Sequence, residues 1–257
     1  MLIDTHTHLD HCRAPAEELL AEAENAGVGV IIQSGTDLES SRVAMSLAEK
    51  HPQVFASVGF HPQEAGLLTP EDLAGLRGLA RHKRVVAVGE TGFDFYHDNW
   101  PHELQEQIFV HHLELARHAG LPVVIHTRDA DLDTLRVLEA HAGGLTVILH
   151  CFSLTKHVST VIERGFYMSF AGNVTYKNAL DLQEACRRIP SDRLLLETDA
   201  PYLTPVPLRG RPNRPALVAH TYEHVARLRG ITPEELELQV RDNVLRAYPR
   251  LQEASAL

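Results

Sequence analysis

Eight short apolar runs, mostly β-branched, recur along the chain with helical segments between them, and this alternation restricts the fold more than any other feature. The runs are Leu2–Thr5, Val28–Gln33, Val54–Gly59, Val85–Gly89, Pro122–Ile125, Thr146–Leu149, Phe166–Phe170 and Arg193–Glu197. Their apolar residues stand side by side rather than alternating, as in a strand buried on both faces. The intervening segments Ala16–Ala26, Leu38–Lys50, Glu71–Arg81, His102–His118, Asp131–His141, Lys156–Arg164 and Leu180–Ile189 carry Leu, Ala or Val at helical spacing. Thr69-Pro70-Glu71 and Thr232-Pro233-Glu234 read as helix starts, a capping Thr followed by Pro in the first turn. Eight strands alternating with helices over about 250 residues predict an α/β fold, a single-domain (β/α)8 TIM barrel over residues 1–257. A doubly wound open sheet is the competing architecture, but it usually carries a Gly-rich phosphate loop after its first strand. Here that strand runs into His6-Thr7-His8-Leu9-Asp10.

Composition narrows the function. There are 24 Lys+Arg against 34 Asp+Glu, a net charge of −10, which argues against a protein that coats duplex nucleic acid. A nucleic-acid enzyme remains open, because a local field differs from the net charge. Cys12, Cys151 and Cys186 are too few and too scattered for a disulfide framework or a zinc ribbon. No secretory signal and no run of ~20 apolar residues is visible, so a cytoplasmic protein without a membrane partner is expected.

The 17 histidines are the anomaly, and their placement is informative. Barrel active sites form at the C-terminal ends of the strands. Those ends carry His6 and His8, His61, Glu90, His126, His150 and Asp199. His6-x-His8 puts two imidazoles on one side of an extended segment. Alone, that spacing fits a structural role equally well, and His126 or His150 taken singly reads as a core histidine. Jointly, ionisable residues at so many strand ends on one face are costly without a shared partner. The donors are nitrogen and oxygen, which suits magnesium, manganese or zinc. Six of these, all but His61, exceed the three protein ligands of a catalytic zinc and suffice for two divalent ions ~3.5–4 Å apart. In a closed barrel Asp199 lies beside His6 and His8, His126 lies beside His150, and Glu90 reaches both ions. Two divalent ions against two carboxylates leave a positive site, which favours an anionic substrate such as a phosphate.

These residues resemble the TatD family of metal-dependent deoxyribonucleases, within the amidohydrolase superfamily. The similarity covers Asp4-Thr5-His6-Thr7-His8-Leu9-Asp10, Val58-Gly59-Phe60-His61-Pro62 and Gly89-Glu90-Thr91-Gly92-Phe93-Asp94. It continues through His126-Thr127-Arg128-Asp129-Ala130, His150-Cys151-Phe152-Ser153 and Glu197-Thr198-Asp199-Ala200-Pro201-Tyr202-Leu203, then Pro205–Pro207, Arg209-Gly210 and Asn213-Arg214-Pro215. The resemblance implies metal ligands at His6, His8, Glu90, His126, His150 and Asp199. It also implies 3′-to-5′ exonuclease action on DNA with single strands preferred, as in DNA repair. Two positions depart from the family pattern. Gln63 stands where a second His often follows His-Pro, and Leu154 where a Gly often follows His-Cys-Phe-Ser.

Asp199 and Glu90 are the candidate catalytic residues, Asp199 as general base. His61, Arg128, Arg209, Arg211 and Arg214 are candidate phosphate contacts, with loop packing the alternative for His61 and a solvated, ion-paired loop the alternative for the three arginines after strand eight. Phe93, Phe95, Tyr96 and Trp100 suit base stacking or loop packing equally. His220 and His224 imitate a metal pair at helical spacing but belong to a polar helix, where a surface role is expected. The expected protein is a monomeric DNA phosphodiester hydrolase with two divalent ions and no organic cofactor. An amidase or lactonase of the same superfamily is the first alternative. Many of those bridge their metals with a modified lysine, and here Lys83 precedes strand four at the wrong end. A non-catalytic metal-binding barrel is the second alternative.

Overall fold

The computed structural model describes residues 1–97 and 99–253. Its strands are β1 (Leu2–Thr7), β2 (Val28–Ser34), β3 (Val54–Val58), β4 (Val85–Asp94), β5 (Val123–Arg128), β6 (Val147–Leu149), β7 (Tyr167–Phe170) and β8 (Leu194–Leu196). Its helices are α1 (Ala16–Asn25), α2 (Leu38–Lys50), α3 (Pro70–Leu79), α4 (His102–Ala119), α5 (Asp131–His141), α6 (Val158–Glu163), α7 (Leu180–Arg188), α8 (Val218–Arg229), α9 (Pro233–Ala247) and α10 (Pro249–Glu253). The strands form one eight-stranded sheet in the order β1 to β8, with parallel pairing. A helix between each strand and the next is what parallel neighbours require, and together these define the (β/α)8 barrel. Beyond β8, the Asp199 N–H donates to His6 O and the His8 N–H to Ala200 O, joining the last strand end to the first. Among the described residues no helix is long and apolar enough to cross a membrane.

Two compact units divide the described residues, one of Met1–Gln33 with Cys151–Arg246, the other of Ser34–His150 with Ala247–Glu253. The first holds β1, β2, β7 and β8. Its N-terminal strand ends are tied by buried polar side chains. The Tyr222 hydroxyl of α8 bonds both the amide and the carbonyl of Ile3, and the Asn243 amide of α9 donates to Ser191 O and Leu194 O. The second holds β3 to β6. There Arg84 collects the carbonyls of Ala48, His51, Pro52 and Val54, and Arg250 of α10 those of Ala80, His82 and Val85. Such orphan carbonyls at helix and turn ends need donors when water is excluded. With that end of each unit committed to stability, the C-terminal strand ends are left for chemistry.

The cap signals act as the sequence suggests. Thr69 accepts from Asp72 N and Asp72 answers to Thr69 N, a capping box with Pro70 in the first turn. Several strand bounds depart from expectation, and those of β4, β5 and β8 matter most for the site. β4 does not stop at Gly89 but runs ten residues to Asp94, because Thr91 to Asp94 pair in register with Ile125 to Arg128 of an equally extended β5. Gly92 permits it: φ is +139° and a Cβ there would lie 2.1 Å from His126 O. β8 is shorter than expected, three residues, and the chain then turns so that Asp199 sits at φ +55°.

Candidate metal centre

In the first unit the donors are His6, His8 and Asp199. Asp4, two residues before His6 on the same side of β1, organises them. Its Oδ1 accepts from Thr198 N at 2.8 Å and His6 N at 3.4 Å, and its Oδ2 from the Thr198 hydroxyl at 2.6 Å. Burial raises the Asp4 carboxyl to about 8 against the pull of these donors. The brace fixes the residue preceding Asp199, whose left-handed backbone turns its carboxylate toward the histidines. Asp199 Oδ1 lies 3.6 Å from His8 Nε2 and 4.0 Å from His6 Nε2, and the two Nε2 atoms face each other at 3.2 Å. Nitrogens ~2.0–2.1 Å from a tetrahedral ion lie ~3.3 Å apart. The spacing and the donor chemistry both fit a divalent cation, and the three side chains form one group able to hold it.

The second unit contributes Glu90 from β4, His126 from β5, His150 just after β6 and His61 just after β3. His150 Nε2 is 2.8 Å from Glu90 Oε2 and 3.1 Å from His126 Nδ1, with His126 Nδ1 3.8 Å from Glu90 Oε2. His61 packs edge-on to His126 with ring centroids 4.4 Å apart, and its Nε2 lies 3.9 Å from Glu90 Oε1. Glu90, His150 and His61 are all nearly inaccessible to solvent. Burial, reinforced by His126, lowers His61 to about 3, so its ring is neutral. Nδ1 accepts from Gln63 N at 3.1 Å, so in the neutral ring Nε2 carries the proton and donates. His61 also stands with Glu90 and His126 in a second group of candidate ligand atoms.

Sequence reasoning missed Asp94, which lies at the end of β4 where a loop was expected. Its Oδ2 accepts from His97 Nδ1 at 2.8 Å and from Gln63 Nε2 at 2.9 Å, and lies 3.5 Å from His126 Nε2. Its Oδ1 accepts from the amides of Tyr96 and His97. Burial pushes this carboxyl up, but the donors outweigh burial and hold it well below the usual carboxylate range. Asp94 thus stays ionised on the far side of His126 from Glu90, the carboxylate–histidine arrangement that orients metal ligands. Gln63 is part of that brace. Its sequence signals were its place in the family-like Gly89–Asp94 stretch and the Glu90–Asp94 spacing, which places both side chains on one face once the segment is extended.

The rim residues divide. Arg128 at the end of β5 is exposed, with its guanidinium 3.9 Å from the centre of the Tyr96 ring. Arg209 and Arg211 are exposed, whereas Arg214 pairs with Glu22 at 2.6 Å, the ion-paired alternative. Of the aromatics after Glu90, Phe93 is buried against Phe109, Phe95 stacks on His102, and the Trp100 indole donates to Gln63 O. Loop packing accounts for these three, and Tyr96 alone is well exposed. On α8, His220 lies near Glu223 and His224 is lowered by burial, remote in sequence from any strand end.

A (β/α)8 barrel with nitrogen–oxygen donor groups at its strand ends defines the class of metal-dependent barrel hydrolases. Within that class the chain belongs to the TatD related DNase family, whose model matches residues 3–249. It is 42% identical over 260 residues to an uncharacterized metal-dependent hydrolase TatD of Mycobacterium tuberculosis, covering 96% of this chain and 97% of the relative. It is 37% identical over 251 residues to a protein of Cronobacter sakazakii named 3′-5′ ssDNA/RNA exonuclease TatD, covering 95% and 94%. Among solved structures, the TatD homologue YjjV of Escherichia coli superposes with a TM-score of 0.91 at 30% identity, covering 96% of this chain and 98% of that one.

Proposed function

We propose that this metal-dependent hydrolase is a 3′-to-5′ exonuclease of single-stranded DNA, working as one domain over residues 1–257 with two divalent ions, magnesium, manganese or zinc. The observation that carries the reading is the pair of donor groups, His6, His8 and Asp199 in one unit and Glu90, His126 and His150 in the other, each of nitrogen and oxygen atoms alone. The name of the Cronobacter relative supports the substrate class. His6, His8 and Asp199, and Glu90, His126 and His150, would hold the ions, which when bound would lower the pKa of a water and place positive charge opposite the phosphate.

The chain's own residues supply the rest. Asp199 is the general base: its carboxylate is partly exposed, on a turn that aims it at the histidine pair, and it accepts the proton of the attacking water. Glu90 fixes His150 and, with it, the spacing to His126. His61 Nε2 donates to a phosphate oxygen, and Arg128 at the rim balances the charge of the next phosphate. An amidase or lactonase reading has no comparable support, since nothing in these clusters selects a carbonyl over a phosphate.

Stripped protein reloaded with magnesium, manganese or zinc should shorten end-labelled single-stranded DNA from its 3′ end, and duplex of the same sequence more slowly. Metal analysis with anomalous scattering should then find two ions per chain. Activity confined to amides or lactones would move the reading to that alternative. A single ion, with His126 and His150 turned away from it, would sink the two-metal mechanism.

A further inference from the structure

Within the first unit, the loops after β1 and β8 enclose a groove of about 1000 Å³ between Cys12–Ala14 on one side and the Pro201–Arg214 segment on the other. That volume is at the top of the range for sites that hold a small molecule, about 300–1,000 Å³. One end of the groove abuts the histidine pair. The His11 ring stacks on His8 with centroids 5.0 Å apart and planes 14° apart. The Tyr202 ring, 52% exposed, stands edge-on to both, and its hydroxyl lies 3.3 Å from His11 Nδ1. Along the walls Arg13, Arg209 and Arg211 are exposed, and among the described residues none of them makes an ion pair. Arg214 lines the same groove but is neutralised by Glu22. On a chain of net charge −10, three uncompensated cations around one groove are a local inversion of field.

The wall that carries two of these cations is built rather than loose. The buried Asn213 amide donates to Thr198 O at 2.9 Å and Tyr202 O at 2.6 Å, and the Tyr176 hydroxyl donates to Thr204 O at 3.1 Å. Val206 N donates to the Thr175 hydroxyl, and Leu203 O sits so close to Gly172 that a Cβ there would lie 2.1 Å from it. Arg209 is itself positioned, with its guanidinium 4.2 Å from the centre of the Tyr176 ring. A ligand met by this wall pays little ordering entropy.

We infer that the groove takes the nucleotides adjoining the scissile phosphodiester as an unpaired strand, with Tyr202 stacking on the base next to the cut and Arg13, Arg209 and Arg211 on the phosphates beyond it. Phosphates suit the arginines, and the exposed Tyr202 ring at the mouth suits the base of an unpaired strand, because a base inside a duplex has both faces covered by its stacked neighbours. An acidic peptide would use the arginines and leave Tyr202 idle. The inference rests on the nuclease reading for its direction of travel, but strand binding is measurable without turnover.

The test is fluorescence anisotropy of labelled hexathymidylate with metal-free protein in EDTA, over a range of salt. The single strand should bind at least tenfold more tightly than a hairpin duplex of six pairs, and a hexaglutamate peptide should not displace it. Replacing Arg13, Arg209 and Arg211 together with Ala should lower the slope of log K against log salt by about 2, as expected for three lost contacts to a single strand. Tyr202→Ala should weaken binding about tenfold, with Tyr202→Trp restoring it. An unchanged salt slope in the triple variant, equal affinity for the duplex, or displacement by the peptide would each overturn the inference. Failure of the nuclease reading would look different: wild-type protein would bind the strand in this pattern yet leave it uncut with manganese.

Discussion

The two donor groups are held in place by different means. In the first unit the brace is local to the ligand strand. Asp4 sits two residues before His6, and the turn after β8 delivers Asp199 by its backbone conformation. In the second the brace is imported from a helix. Gln105 of α4 bonds both the amide and the carbonyl of Asp94, and His112 of α4 accepts from Phe60 N at 2.9 Å just ahead of His61. The first group is therefore sensitive to changes in one short turn, and the second to whatever loosens α4 from the ends of β3 and β4. A carboxylate placed by a turn and partly exposed is suited to move protons, while donors fixed by a buried network are suited to hold an ion still.

Breaking the first arrangement should have the largest effect. Asp199→Asn keeps the shape and an oxygen ligand but removes the charge and the basicity. The variant should melt like wild type and retain metal, because the Asp4 brace and the ladder to His6 involve the main chain of Asp199 and its neighbours, not its carboxylate. Its kcat should fall by ~10²–10⁴, the range for a positioned acid–base group. Near-normal kcat at saturating metal would reduce Asp199 to a ligand.

Acid should expose the second arrangement. His112 is fully buried, and its ring nitrogens are committed to Phe60 N and Ile108 O; burial lowers it to about 4. Its folded pKa lies below its unfolded value of 6.5, so the unfolded chain takes up a proton that the native chain refuses. The contribution is fully present above pH 6.5 and is lost as the pH falls toward 4. Between pH 7 and pH 4.5 this amounts to about 2–3 kcal/mol. Urea unfolding of His112→Gln, which keeps an acceptor for Phe60 N, should show a pH-dependent loss smaller by that amount. Identical pH slopes in variant and wild type would show that His112 does not couple this end of α4 to protons.

The alternation of apolar runs with helical segments was legible because a parallel barrel buries its strands on both faces, so each strand is a block of hydrophobic residues. The donors were legible for the same reason, since His126 and His150 each follow such a block at once. Where polar residues continue a strand, the signal fails. Glu90 to Asp94 contains too few apolar residues to read as β4, yet pairing with β5 and the room at Gly92 extend it, and Asp94 was missed as a result. Long-range partners were equally invisible. Glu22, which removes Arg214 from the set of open cations, lies 192 positions away, and neither residue's neighbours announce the other.

The smallest expected effects belong to Asp94 and its partner Gln63, and they separate the two regions most cleanly. The Asp94 carboxylate touches neither Glu90 nor His150 but lies 3.5 Å from His126 Nε2, on the opposite side of that ring from Nδ1, which faces Glu90 and His150. Asp94→Asn preserves the side chain's size while removing the charge that keeps the Nε2 proton in place and raises the basicity of Nδ1. Loss of such an outer partner typically costs about 10–100-fold in metal affinity. Manganese titration followed by anomalous scattering should show that loss at the ion near His126 and His150, and none at the ion near His6 and His8, whose brace is Asp4. Excess metal should restore the occupancy and most of the activity, which a folding defect would not allow. Gln63→Ala removes only one of the donors to Asp94 and should produce the same asymmetry a few-fold weaker. If both ions weaken together in Asp94→Asn, the two groups share one scaffold, and the contrast between a turn-placed and a network-placed group fails.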